Sequence, residues 1–115
     1  MCQQRRMQPE IHALMAALRE TRMLLRKHGD KFASARLDAL EARLARGDWM
    51  AVESAVSEAT GGMGSLRDRV LSAANGDAIT RPQETAVNAQ LDALITEVER
   101  TARNAAAAIG IQLFR

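Results

Sequence analysis

Apolar residues recur along this chain at intervals of three and four, in blocks separated by polar punctuation. Ile11, Leu14, Met15, Leu18 and Leu25 fall on one helical face, with Arg19, Glu20 and Arg22 interposed on the other sides. Ala33, Leu37, Leu40 and Leu44 repeat the pattern, and Trp49, Val52, Val56 and Ala59 give a shorter third block. The longest block comprises Val87, Leu91, Leu94, Ile95, Val98, Ala102, Ala105 and Ile109, a seam able to lie along the other helices. This pattern predicts an all-α fold: a single-domain bundle of four to five helices with a long C-terminal helix.

The punctuation agrees with those blocks. Pro9 suits a first helical turn, so residues 1–8 read as a flexible lead-in to a domain over 9–115. Gly29 ends the first helix behind Lys27 and His28, whose charge suits a helix C-terminus. Asp30 can cap the second helix, Gly47 closes it and Asp48 can cap the third. The short link at Gly29 predicts an antiparallel first pair. Ser65-x-x-Asp68 reads as the start of another short helix, backed by Leu66, Val70 and Leu71. Asn75-Gly76-Asp77 marks a turn. Thr80-x-x-Gln83 reads as a capping box that opens the last helix, with Pro82 in its first turn, and Gly110 stops it.

Composition narrows the class. A 115-residue chain that is 47% hydrophobic can bury one core and is too apolar to stay disordered. Only Phe32, Trp49 and Phe114 are aromatic, so the core is built from Leu, Ala, Val, Ile and Met. The single cysteine, Cys2, excludes an internal disulfide. Ile11–Leu25 is too broken by charge for a signal peptide or membrane span, and a cytoplasmic location is the default expectation. The net charge of +2 conceals a split: residues 1–46 carry ten basic and five acidic side chains, residues 47–115 six and nine. Such asymmetry either steers a charged partner or lets two faces of one bundle attract each other.

Catalytic chemistry finds few candidates. The two imidazoles, His12 and His28, lie sixteen residues apart with no triad partner suggested by spacing. His28 is expected to be satisfied by the helix dipole and solvent. Neither His is paired at i+3 or i+4 as metal ligands on one helix face would be. The expectation is no enzyme, no metal and no cofactor. Nucleic acid is also disfavoured as a partner. Arg19, Arg22 and Arg26 make a basic stripe, but Glu20 adjoins it and aromatic stacking residues are lacking.

The least ordinary stretch is Gly61-Gly62-Met63-Gly64-Ser65, with Leu66, Arg67 and Asp68 after it. Three glycines in four residues are entropically costly and are kept where the backbone needs positive φ or a close approach. As an anion site the stretch lacks the phosphate-loop spacing and its lysine. As architecture it reverses the chain. As a recognition loop it presents backbone and Met63 to another protein.

The segment from Leu25-Arg26-Lys27-His28-Gly29-Asp30, through Leu40-Glu41-Ala42-Arg43-Leu44, to Gly61-Gly62-Met63-Gly64-Ser65-Leu66-Arg67-Asp68-Arg69-Val70-Leu71 resembles a family of small bacterial domains. That family has unknown function and is marked by a Gly-Gly-Met-Gly-Ser signature. Its position corresponding to Leu66 is often aromatic, and that of Arg67 is often Asn before Asp; here Asp68 is kept and Arg67 departs. The resemblance implies an immunity-type protein that neutralises a cognate bacterial toxin by contact. The candidate contacts are Gly61, Gly62, Met63, Gly64, Ser65, Arg67 and Asp68, with an acidic face of Asp92, Glu97 and Glu99 suited to a basic toxin. The alternatives are a small nucleic-acid-binding or regulatory helical protein, or a homodimer through the Val87–Ile109 seam with Leu113 and Phe114.

Overall fold

The computed structural model describes residues 8–61, 65–111 and 113. Among them are four α-helices: α1 (Pro9–Lys27), α2 (Lys31–Ala45), α3 (Met50–Thr60) and α4 (Arg81–Ile109). There is no strand among the described residues. Residues 1–7, which carry most of the expected lead-in, lie outside the description, as do Gly62, Met63, Gly64, Gln112, Phe114 and Arg115. Gln8 takes the capping position of α1, and its carbonyl accepts from the Ile11 amide at 3.0 Å.

The helix signals operate through the expected chemistry. Asp30 Oδ1 accepts from the Ala33 amide at 3.1 Å, which satisfies a donor that α2 itself leaves open. Thr80 and Gln83 form the reciprocal capping box that opens α4, with Pro82 in the first turn. Asp48 Oδ1 accepts from the Met50 amide at 3.2 Å, but α3 starts at Met50 behind Trp49, so the cap sits one residue further out than expected.

One core joins all four helices. Ile11, Leu14, Leu18 and Leu25 of α1 are fully buried with Leu37 and Leu44 of α2, Val52 and Val56 of α3, and Leu91, Ile95 and Val98 of α4. α1 packs chiefly against α2 and α4, and α3 chiefly against α4. Surface depressions pair Pro9 with Asn104 at one end of the α1–α4 contact and Lys27 with Gln83 at the other, so these helices run antiparallel. The α4 seam is therefore spent inside the monomer, with Ala102 and Ala105 also buried. Leu113 packs partly against this core rather than standing free.

The short helix expected after Ser65 does not form. Leu66–Asp68 is a single 3₁₀ turn, and the chain then runs extended to a second 3₁₀ turn at Ala73–Asn75. The Ser65 side chain caps nothing. The Leu66 amide instead donates to Glu58 Oε1 at 2.8 Å, and Asn88 clamps both backbone groups of Leu71 at 2.8 Å. Those anchors hold the backbone open where a helix would need it for its own i to i−4 bonds. Leu66 and Leu71 are buried as anticipated, but Val70 is 62% exposed.

Candidate functional site

Gly61 stops α3 with φ 119°, in the positive-φ region that side chains disfavour, and a Cβ built there would touch Arg67 Cγ at 3.7 Å. The glycine that begins the signature is thus needed for backbone conformation, and Arg67 packs over it. Arg67 itself is a three-way brace. Its Nε donates to the Ala59 carbonyl at 2.9 Å, Nη1 to Asp92 Oδ1 at 2.7 Å, and Nη2 approaches Glu99 Oε1 at 3.5 Å. Thr96 Oγ1 lies 3.3 Å from Nη2. The turn after the glycines is therefore fastened to the end of α3 and to the middle of α4 by one side chain.

A second brace crosses to the other side. Arg69 Nε donates to Asp30 Oδ2 at 2.8 Å, so the carboxylate that caps α2 also holds residue 69. Asp30 is almost fully buried, and a buried carboxylate is tolerable only with such partners. Further along, Ser72 and Ala73 amides donate to Asp77 and Glu84 carboxylates at 2.9 Å. His28 closes the connector: its backbone oxygen accepts from the Ala78 amide, and its Nδ1 meets the Ala78 carbonyl, both at 2.8 Å. The expectation that solvent satisfies His28 is corrected here. The ring is buried, and because a carbonyl only accepts, Nδ1 carries the proton.

The braced turn borders an exposed aromatic. Phe32, on α2, is 70% exposed, and the Arg36 guanidinium carbon lies 5.3 Å from its ring centroid. Arg36 Nη2 also donates to Glu58 Oε1 at 2.9 Å, the same oxygen that receives the Leu66 amide. Contacts thus run from Phe32 to Arg36, from Arg36 to Glu58 and from Glu58 to the Leu66 amide of the braced turn. Two shielded polar atoms on this face, Arg36 Nε and Ser65 Oγ, have no hydrogen-bond partner among the described residues.

The expected contact residues divide accordingly. Gly61, Ser65, Arg67, Asp68, Asp92 and Glu99 come together around the turn. Gly62, Met63 and Gly64 lie outside the described residues. Glu97 does not join them. It lies between α4 and α1, beside Ala13 and Glu20, and pairs with Arg100 at 3.0 Å, which holds the Glu97 carboxyl below its usual range. Asp92, Glu97 and Glu99 are therefore not one acidic face, since residues five apart on a helix diverge while residues seven apart align. Phe32, Arg36 and Val70 went unselected in the sequence. The available signal was an aromatic on α2 outside its buried stripe, four residues before an arginine.

The basic stripe of α1 is largely committed within the fold. Arg22 Nε donates to the buried Glu41 carboxylate at 2.8 Å and Arg19 lies 3.5 Å from it. The charge split is likewise met by local pairs in both halves together with the crossing pairs Arg36–Glu58 and Arg69–Asp30. Among the described residues no three His, Cys, Asp or Glu side chains are grouped to hold a metal, and no helix is long and apolar enough to cross a membrane. No family model, curated protein or solved structure matches the chain.

Proposed function

We propose that this chain is an immunity-type binding protein that acts in the cytoplasm without catalysis or cofactor, neutralising a cognate toxin by covering its active site. Phe32 stacked under Arg36 beside the braced turn is the observation that carries the binding face. Aromatic and arginine side chains supply most hot-spot energy in protein interfaces, and a large ring left 70% exposed in a chain so poor in aromatics calls for an occupant. The bracing by Arg67 and Arg69 supports the same reading, because a surface already held in one shape loses less entropy on binding. Asp92, with its side chain 71% exposed, extends the face toward a basic partner such as a toxin that acts on nucleic acid. The toxin class itself rests on the Gly-Gly-Met-Gly-Ser resemblance.

The test is a growth-protection assay. The polypeptide encoded by the adjacent upstream reading frame is expressed with and without this chain. Wild type should relieve the growth arrest, whereas Phe32→Asp and Arg36→Glu, confirmed folded by circular dichroism, should lose protection. An adjacent polypeptide that arrests growth and is neutralised equally by both variants would overturn the face. A harmless adjacent polypeptide would count against the toxin assignment.

A further inference from the structure

The side of α2 turned toward α1 carries unspent positive charge. Arg19 and Arg22 of α1 reach Glu41, and Arg22 lies 3.8 Å from Asp38, so these two helices pair antiparallel. One turn further toward their connection, Arg26 comes opposite Ser34 and Lys31. Between the helices lies a pocket of about 290 Å³, walled by Arg22, Arg26, Lys31, Ser34, Ala35 and Asp38. No carboxylate answers Arg26 or Lys31 among the described residues, although Arg36, Arg43, Arg67 and Arg69 each have one.

Ser34 adds the second half of the argument. It is 7% exposed, and its hydroxyl has no hydrogen-bond partner among the described residues. Buried hydroxyls elsewhere in the bundle bond back four residues, Thr21 to the Ala17 carbonyl at 2.8 Å and Thr101 to that of Glu97 at 2.7 Å. The Ser34 hydroxyl makes no such bond and is not sealed inside the core, so it opens on the pocket that Ser34 lines. A ligand rich in acceptor oxygens there meets a guanidinium from α1 and an ammonium and a hydroxyl from α2. It also meets the positive end of α2, which starts at Lys31. Donors converging from several directions suit a tetrahedral oxyanion, whereas a planar carboxylate is filled by a single guanidinium fork. Asp38, its side chain 72% exposed at the far end, repels a second anionic group and confines the charge to the Arg26 end.

We propose that this α1–α2 pocket binds a phosphate dianion, free or as a small phosphate monoester, with Arg26 and Lys31 pairing its charge and the Ser34 hydroxyl donating to one of its oxygens. Phe32 and Arg36 lie about a third of a turn round α2 from the pocket, so the phosphate site is separate from the proposed binding face.

Isothermal titration calorimetry of the full chain with inorganic phosphate, glycerol 3-phosphate and acetate tests this. It is run at low salt and about pH 8, where a phosphate monoester carries about two negative charges. Saturable binding of a phosphate ligand, about tenfold or more tighter than acetate, is expected, and the tighter of the two shows whether free or esterified phosphate is preferred. Arg26→Ala should weaken it about tenfold or more, and Ser34→Ala about three- to tenfold. Asp38→Asn should tighten it about two- to threefold, because a repelling charge leaves the anion's neighbourhood. Lys27→Met, which deletes an equal charge outside the pocket, should change it by less than about twofold. Each variant alters a surface or small side chain, and an unaltered circular-dichroism melt confirms the fold. No saturable binding of either phosphate ligand would overturn the proposal. So would acetate binding as tightly, or Lys27→Met weakening binding as much as Arg26→Ala. The growth-protection result for Phe32 stands independently of each outcome.

Discussion

Leu18, Leu25, Leu37 and Ile95 hold their helices together by leaving water, whereas Leu66, Leu71 and Ala78 are positioned by donors and acceptors reaching in from other elements. The helical framework is periodic, and its apolar stripes meet in a shared core. Among its described residues the connector from Gly61 to Thr80 has two 3₁₀ turns of its own, and it is fixed by side-chain clamps: Glu58, Arg67, Arg69, Asn88 and His28. Hydrophobic burial is non-directional and shapes a scaffold, while hydrogen bonds and ion pairs are directional and shape a surface. The exposed Phe32, with the half-buried Arg36 over its ring, and Asp92 sit where these two kinds of order meet.

Truncating the framework should have the largest effect. Leu18→Ala leaves a cavity where α1 meets the core and should cost about 2–5 kcal/mol in urea unfolding, lowering the stability of all four helices together. Asn88→Ala should cost less, about 1–3 kcal/mol, because it strands the backbone N–H and C=O of the buried Leu71. Its distinguishing mark is faster amide exchange across residues 69–73, read by hydrogen–deuterium exchange mass spectrometry. If Asn88→Ala instead destabilised the protein as much as Leu18→Ala, the distinction between framework and connector would fail.

Arg67→Ala should cost about 1 kcal/mol or less globally, since Asp92 lies mostly in water and exposed pairs contribute little. Amide exchange at residues 65–68 should nonetheless rise clearly, as the turn loses its attachment to Ala59 and α4. The smallest effect belongs to Asp48, whose carboxyl is held below its usual range chiefly by a hydrogen bond from Arg43. A depressed folded-state pKa contributes stability above the unfolded value, and that contribution is lost as pH falls through the folded one. Asp48→Asn should therefore melt slightly below wild type at neutral pH, and the two curves should converge in acid. Persistent separation in acid would assign the effect to the Met50 cap instead.

The framework was legible because its determinants are local. Ile11 through Leu25 repeat at the helical period, the Asp30 carboxylate that caps α2 accepts from an amide three residues on at Ala33, and Thr80 finds Gln83 within one turn. The connector was misread at Ser65-x-x-Asp68 for the converse reason. Its decisive partners lie 8 residues away at Glu58, 17 at Asn88 and 39 at Asp30, distances at which a periodic pattern carries no information. The site was half legible on the same grounds. Gly61, Arg67, Asp92 and Glu99 were selected separately, and only folding joins Arg67 to residues 25 and 32 positions downstream. Glu97 was grouped with Asp92 and Glu99 by proximity along the chain, although the helix turns it toward α1. Phe32 lies off the buried stripe of α2, where helical periodicity alone does not distinguish a binding side chain from a solvated one.

Hydrogen–deuterium exchange of this chain with and without the proposed partner, the polypeptide of the adjacent upstream reading frame, tests the binding face most directly. Slowed exchange on complex formation should appear at residues 30–36 and 65–70, with the rest of the helical framework unchanged. Protection confined to α1 and the α1-facing side of α4, with those two segments unaffected, would contradict it.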